Sequence, residues 1–520
     1  MDNKRRGVSS DIKFLVKNYG EFLFIICLGL ITRFFWIVYT NLTEEDAFIT
    51  FRIARHLAEG VGFVYNNGER ILGTTSPLFA LLLGGWIAIV SKNIILGARI
   101  INLITSTSSL IFLLLALRKI GASKFQQIAV LIIFALSVKL IVLEVGGMET
   151  ALVIFLMIAS WYLFLTRRLV WTSIILGLLV LTRLDLFIWP VSMLLIEMIS
   201  HPKKALRMGI IVLLIVLPWI IFSLNYFGSP IPHTINAKWV AYFKNNNTPL
   251  TTHLLAVANF MSPFSQYKEH ILIRNILAWM TLVIAAWQSV SEFREKKLAL
   301  IVVFIFLDVS RLVFMRATFE NRYFAPLLVV VLILFGMGLG NLWGSISVSS
   351  FRIKSIYIFT LFSLAGMGLV FAGYESIQIK MNQEYRHDNS LRRIGTWLNE
   401  NSPPSATVLL EPLGYIGYYS DRYMIDEVGL VSPEVVALKK LGFTANEYFL
   451  IIKPDYYVLH CDDALRLQDE KREKGWGLAD HYTRQATYNP LSFDIQQPDY
   501  SNFGGLQRNS CYEVWQRNRE

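Results

Sequence analysis

The sequence predicts a polytopic α-helical membrane protein of about eleven spans that ends in a C-terminal extracytoplasmic α/β domain. Three observations lead there. First, 54% of the 520 residues are hydrophobic and 13% aromatic, while only 17% are charged, far more apolar than a soluble domain. Second, apolar runs recur at lengths near the ~20 residues that cross a bilayer. Third, from Gly373 onward the composition turns to that of a soluble domain, with Pro403-Pro404 and Lys453-Pro454 punctuating short strand-like and helix-like runs. The division is residues 1–372, a transmembrane domain with an outer-face first loop at 41–94, and residues 373–520, the extracytoplasmic domain.

The net charge of +11 points to basic cytoplasmic loops rather than to nucleic acid, because Lys and Arg collect on the inner side of membrane proteins. Lys4, Arg5, Arg6, Lys13 and Lys17 keep the N-terminus in the cytoplasm, so the first span, Phe22 to Thr40, leads out. That span is too long and aromatic for a cleaved signal peptide and serves as an anchor. Arg33 lies within it, either snorkelling to an interface or turned into a polar cavity.

Glu44 to Pro77 follows as a polar island. Thr43 and Asp46 have capping-box spacing, and Ala47, Phe51, Ala54 and Ala58 repeat at helical spacing, which predicts a short amphipathic helix along the membrane surface. Gly60 and Gly62 end it, and Asn66-Asn67-Gly68 marks a tight turn. Leu78 to Val90 is read as a short, partly inserted outer-face helix starting at Pro77. If it crossed, Arg118, Lys119, Lys124, Lys203, Lys204 and Arg207 would all lie outside.

The remaining spans alternate with consistent parity: Ile95–Leu117, Ile128–Leu143, Ala151–Leu165, Ser173–Leu181, Phe187–Ile199 and Ile210–Phe227. A long outer loop precedes Ile276–Val290, Leu298–Phe314, Phe324–Leu342 and Ile356–Phe371. In the C-terminal part Leu391–Leu398 reads as helix, and Ala406–Leu410 and Tyr456–Leu459 as strands. Cys461 and Cys511 are placed for one disulfide if this part is extracytoplasmic, whereas Cys27 is core.

Candidate chemistry gathers at the outer ends of the spans. The acids are Glu44, Glu45, Asp46, Glu144, Glu149 and Asp185. The cations are Arg33, Arg52, Arg55, Arg183, Lys238 and Arg322, with His233 between two prolines and the lysine. Carboxylates beside cations suit an anionic, lipid-linked substrate, because cations hold a phosphate while a carboxylate removes a proton. Asp46 also suits a helix N-terminus, Glu149 the start of the next span, and Arg183 with Asp185 an internal ion pair. No P-loop, zinc-ligand helix or Ser/His/Asp motif is present.

The run EDAFITFRIARHLAEGVGFVYNNGER…GTTSPL resembles the first-loop signature of the GT-C glycosyltransferases that use polyprenyl-phosphate sugars, and in pattern the mycobacterial terminal arabinofuranosyltransferase-like branch. GGMETAL (146–152), TRLDL (182–186), YFGSPIPHTINAK (226–238), NRYFAPLL (321–328), GYIGYYSDRYMIDEVGLVSPEV (414–435) and KPDYYVL (453–459) follow in order. The departure is Glu45, where the pattern has the first of two aspartates.

The resemblance implies an inverting monosaccharide transfer to a cell-envelope glycan or lipid acceptor in the bacterial inner membrane. Asp46 or Glu45 would be the base, and Arg33, Arg52, Arg55, His233, Lys238 and Arg322 would hold the donor phosphate. Glu149, Arg183, Asp185, Thr75 and Ser76 would line the cavity. It implies no cofactor and no metal, the substrates being the lipid-linked sugar itself and its acceptor. The alternatives are a lipid-linked sugar flippase or transporter, and an oligosaccharide transferase with a pyrophosphate-linked donor.

Overall fold

The computed structural model describes residues 2–243, 249–263, 271–294, 299–315, 321–347, 366, 369–469, 477–489 and 511–518. The chain forms two compact units: Met1–Tyr39 with Arg99–Val216 and Thr248–Ile377, and Thr40–Ala98 with Leu217–Asn247 and Gln378–Glu520.

The first unit is helical. Apolar sequence forces this, because a backbone in hydrocarbon has to satisfy its own N–H and C=O groups. The described residues of the expected segments up to Phe324–Leu342 fall on helices, while Leu298 and most of Ile356–Phe371 lie outside the described residues. Among the described residues, four helices are long and apolar enough to cross a membrane: Gly20–Thr40, Ile94–Lys119, Pro202–Phe227 and Arg322–Trp343. Thr150–Leu165 and Leu169–Thr182 are apolar but shorter.

Ile128–Leu143, expected as one span, is two helices, Lys124–Leu136 and Val138–Val145, bent by 53°. Ser137 makes the break: its backbone is extended and its hydroxyl accepts from Leu140 N, opening the second helix. Gly336 and Gly340 let Ala325–Ser347 approach Lys124–Leu136 closely. A Cβ on them would stand 2.7 Å from Val130 Cα and 2.5 Å from Gln126 Cα.

The second unit joins the polar island to the C-terminal part. Its helix Ala47–Ala58 runs where expected, and Gly60 (φ 78°), Gly62 (φ 124°) and Gly68 (φ 86°) take the left-handed conformations that end it and turn the chain. Two expectations are corrected. The capping box is not formed, since Asp46 makes no side-chain cap bond. The helix is also not a one-faced surface amphipath: Arg52 and His56 are buried along with Phe48, Phe51 and Ala54. Its polar side is covered within the unit by residues 417–422. Pro77–Ile89 is a thirteen-residue helix with proline in its first turn, as expected.

Among the described residues the C-terminal part carries five strands: β1 Thr407–Leu410, β2 Tyr423–Asp426, β3 Tyr456–His460, β4 Tyr482–Tyr488 and β5 Tyr512–Arg517, in the order β2-β1-β3-β5-β4. β1 is parallel to β2 and β3, and β5 is antiparallel to β3 and β4. The expected helix lies within a π-helical turn Gln383–Leu391 continued by Arg392–Asn401. Leu409, Val435, Phe449, Tyr457 and Trp515 form the core. Cys461 and Cys511 form a disulfide, Cα to Cα 5.5 Å, tying the end of β3 to the start of β5. Closing a 50-residue loop contributes about 4 kcal/mol by the chain-entropy model.

Candidate functional site

In the second unit, Glu44, Glu45 and Asp46 form the turn into the helix Ala47–Ala58. Their carbonyls accept from Ala47, Phe48 and Ile49 at 3.1, 3.1 and 3.2 Å. Glu45 Oε1 accepts the backbone N–H of Gly414, in the first turn of the helix Leu413–Ser420. Burial pushes the Glu45 carboxyl well above the usual range, and the neighbouring Asp46 charge adds to this. Glu411 is likewise pushed up by burial, opposed by Arg386 and reinforced by Asp46. Glu411 and Arg386 thus belong to the electrostatic surroundings of the acid pair. The sequence reading missed both, the one available signal being that Glu411 stands three residues before the GYIGYY motif.

The cations of this unit differ in what they hold. Arg52 is buried, its Nη1 and Nη2 donating at 2.7 Å to the carbonyls of Gly417 and Arg422, with Tyr65 stacked 4.6 Å from its guanidinium carbon. Arg55 pairs with Asp421 at 2.8 Å and lies over Tyr418. Asp421 is held down at about 2, first by a hydrogen bond from His56 and, against its burial, by Arg55, so the pair is charged at every physiological pH. These two arginines fasten the loop helix to residues 417–422.

His233 and Lys238 begin and end one short helix. His233 is anchored by its backbone N–H to Leu72 O at 3.0 Å, while its Nε2 has no hydrogen-bond partner among the described residues and burial lowers its pKa against a hydrogen bond to the Gly429 backbone. Ser76 is buried at the start of Pro77–Ile89, its N–H on Thr74 Oγ1, with Thr75 half-buried beside it.

The first unit holds the other candidates. Arg33 is not at an interface but 1% exposed. Its Nε donates to Glu144, Nη1 to Gly29 and Ala135 carbonyls, and Nη2 to Phe134. Arg183 clasps Asp185 with two bonds of 3.0 and 2.7 Å, donates to Arg322 O at 2.9 Å, and lies 4.0 Å from Glu149. Arg311 extends this network to Asp308 at 2.8 Å and to Asp185 at 3.5 Å. Asp308 and Arg311 escaped the sequence reading because they sit inside an apolar run. Arg322 Nη1 rests on Met148 Sδ at 3.2 Å, and Glu149 starts its helix without a capping bond. A balanced cluster of arginines and carboxylates can accept an anion where a carboxylate partner gives way.

Among the described residues, no group of three or more His, Cys, Asp or Glu side chains is arranged to hold a metal ion.

Residues 377–515 match a family described as Domain of unknown function (DUF8728). No curated protein matches the chain in sequence. Among solved structures, the chain is similar to the archaeal oligosaccharyltransferase AglB from Archaeoglobus fulgidus, in complex with an inhibitory peptide and a dolichol-phosphate. The TM-score is 0.60 at 12% identity, over 92% of this chain and 74% of that one. It is also similar to ArnT from Cupriavidus metallidurans bound to undecaprenyl phosphate, with TM-score 0.55 at 14% identity, over 86% of this chain and 95% of that one. The likeness is one of fold: the chain is a multi-pass membrane protein whose fold is like that of these two proteins.

Proposed function

We propose that the protein is a membrane glycosyltransferase that moves a monosaccharide from a polyprenyl-phosphate donor to a cell-envelope glycan or lipid acceptor by a single inverting displacement. The observation that carries this is the likeness of fold, over most of the chain, to two proteins whose structures hold a lipid phosphate. The acid pair in the first loop supports it from the sequence side.

In this reading the Asp46 carboxylate takes the proton of the acceptor hydroxyl as its oxygen attacks the anomeric carbon. The bond from that carbon to the phosphate oxygen breaks with inversion, and the lipid phosphate leaves with the electron pair. Positive side chains stabilise the charge that develops on it. Lys238 and His233 are proposed for that role in the second unit, on the ground of the unpartnered Nε2 of His233. Arg322 is proposed in the first unit. Arg33, Arg52 and Arg55 hold protein acceptors and are assigned structural work. The phosphate is a good leaving group without a metal. The Cys461–Cys511 disulfide supports an oxidising compartment for the C-terminal part, hence a cytoplasmic N-terminus and an outer-face reaction.

The oligosaccharyltransferase among the structural neighbours favours a second reading, transfer of an oligosaccharide from a pyrophosphate-linked lipid. The motif order of the terminal arabinofuranosyltransferase-like branch favours the monosaccharide. Mass spectrometry of lipid co-purified with the protein separates the two. Polyprenyl phosphate, or its monosaccharide ester, is expected, whereas an oligosaccharide pyrophosphate lipid would replace the first reading with the second.

A further inference from the structure

Glu45 and Gly414 are 369 positions apart, yet the Gly414 backbone N–H donates to the Glu45 side-chain Oε1. A Cβ on Gly414 would lie 2.0 Å from the Glu45 carbonyl oxygen and 2.8 Å from its Oε1, so only glycine fits. The Gly414 N–H is one of the donors that a helix's first turn leaves without an intrahelical acceptor, and a carboxyl group satisfies it.

Two residues earlier the chain is fastened again. Thr43 N donates to Gln383 Oε1 at 3.1 Å, and Thr43 O accepts from Tyr415 Oη at 3.1 Å. Gln383 Nε2 donates to Tyr415 Oη at 2.9 Å, closing the ring. Phe48, on the far side of the acids, packs against the Tyr415 ring at 4.0 Å between centroids. Asp46 stands between these fixed points, at the N-terminus of the helix Ala47–Ala58.

We infer that Glu45 is a positioning residue: its carboxyl docks on Gly414 of the C-terminal helix and so fixes the backbone from which Asp46 reaches the acceptor hydroxyl. The inference rests on the glycosyl-transfer reading and divides the acid pair, with Asp46 as base and Glu45 as anchor. It makes the C-terminal part a component of the catalytic loop. Displacement by about 1 Å from productive geometry costs on the order of 10²-fold in rate, which sets the expected effect of losing the anchor.

The test compares Glu45→Ala, Glu45→Gln and Gly414→Ala in the full-length protein in lipid nanodiscs. Turnover is read as consumption of polyprenyl-phosphate-linked sugar from a membrane lipid extract, binding with undecaprenyl phosphate, and loop order by amide hydrogen exchange over residues 41–50. Glu45→Ala and Gly414→Ala are expected to lose turnover about 10²-fold and exchange protection at 41–50, with undecaprenyl phosphate affinity within about threefold. Glu45→Gln keeps an oxygen for the Gly414 N–H and is expected to recover most of both.

Turnover in Glu45→Gln as low as in Glu45→Ala, with protection intact, would make Glu45 the base and overturn the assignment. Unchanged protection in Glu45→Ala and Gly414→Ala would overturn the anchor itself. A wild-type protein that consumes no lipid-linked sugar would instead remove the glycosyl-transfer reading, while the exchange measurement still decides whether the anchor exists.

Discussion

Arg33 Nε lies 2.8 Å from Glu144 Oε2, with both side chains 2% exposed. The rest of the guanidinium reaches Phe134 and Ala135 carbonyls in the last turn of Lys124–Leu136, the helix that Ser137 cuts short. Those carbonyls have no intrahelical partner, so Arg33 caps a broken span while neutralising a buried acid. Arg33→Met is therefore expected to destabilise the protein by about 3–5 kcal/mol, because it strands a buried charge. Arg33→Met with Glu144→Leu is expected to recover only part, since the Phe134 carbonyl loses its Arg33 donor while the Ala135 carbonyl keeps the Thr32 hydroxyl. Thermal unfolding in detergent checks this, and a single-variant midpoint equal to wild type would contradict it.

Charge sets an expectation for the orientation of the first loop. Cysteines introduced at Gly68 and Ser91 are expected to react with an impermeant thiol reagent from the same, outer side, because the basic loops fall inside only if Leu78–Val90 does not cross. Labelling of the Ser91 site from the cytoplasm alone would reverse every span after it.

Asp426 and Glu427 give the protein a definite pH dependence. Burial pushes both carboxyls up to about 7, against the N–H groups of Val428 and Leu430 for Asp426 and the Tyr457 hydroxyl for Glu427. With folded values above unfolded ones, the folded chain binds the extra protons between about pH 4 and 7. Stability is then complete below that window and lost as pH rises through 7. The thermal midpoint should rise as pH is lowered from 8 to 5.5, and Glu427→Gln, which still accepts from Tyr457, should flatten the rise. A midpoint that falls across this range would show that the two carboxyls do not govern it.

Loss of a cation that holds the departing phosphate weakens the transition state more than a change elsewhere. Lys238→Ala and Arg322→Ala are each expected to lower turnover at least tenfold relative to Lys439→Ala, whose Nζ donates to the Val428 carbonyl at 3.3 Å within the C-terminal part. Normal rates in both would take these residues out of the phosphate site.

The parts of the fold legible in the sequence were those encoded locally. Apolar runs became helices, Gly60 and Gly62 ended the loop helix, and Arg183 found Asp185 two residues away. What was not legible depended on residues hundreds of positions apart. Arg52 looked like one cation of a polar face, but its acceptors are the carbonyls of Gly417 and Arg422, which no local pattern announces. Arg33 was read as snorkelling or cavity-lining because its partner Glu144 lies 111 positions on. Asp46 looked like a cap because spacing alone cannot tell a capping carboxylate from one aimed elsewhere. The break at Ser137 was hidden inside an unbroken apolar run.

The central claim is that Asp46 is the general base, and Asp46→Asn tests it most directly. The amide keeps the side chain's size and an oxygen that can still accept a hydrogen bond, so the fold is expected to lose little. A base that cannot take a proton loses about 10²–10⁴-fold in rate. Purified Asp46→Asn is expected to match wild type in thermal midpoint and in binding undecaprenyl phosphate while sugar transfer falls on that scale. Transfer within a few-fold of wild type would contradict the assignment.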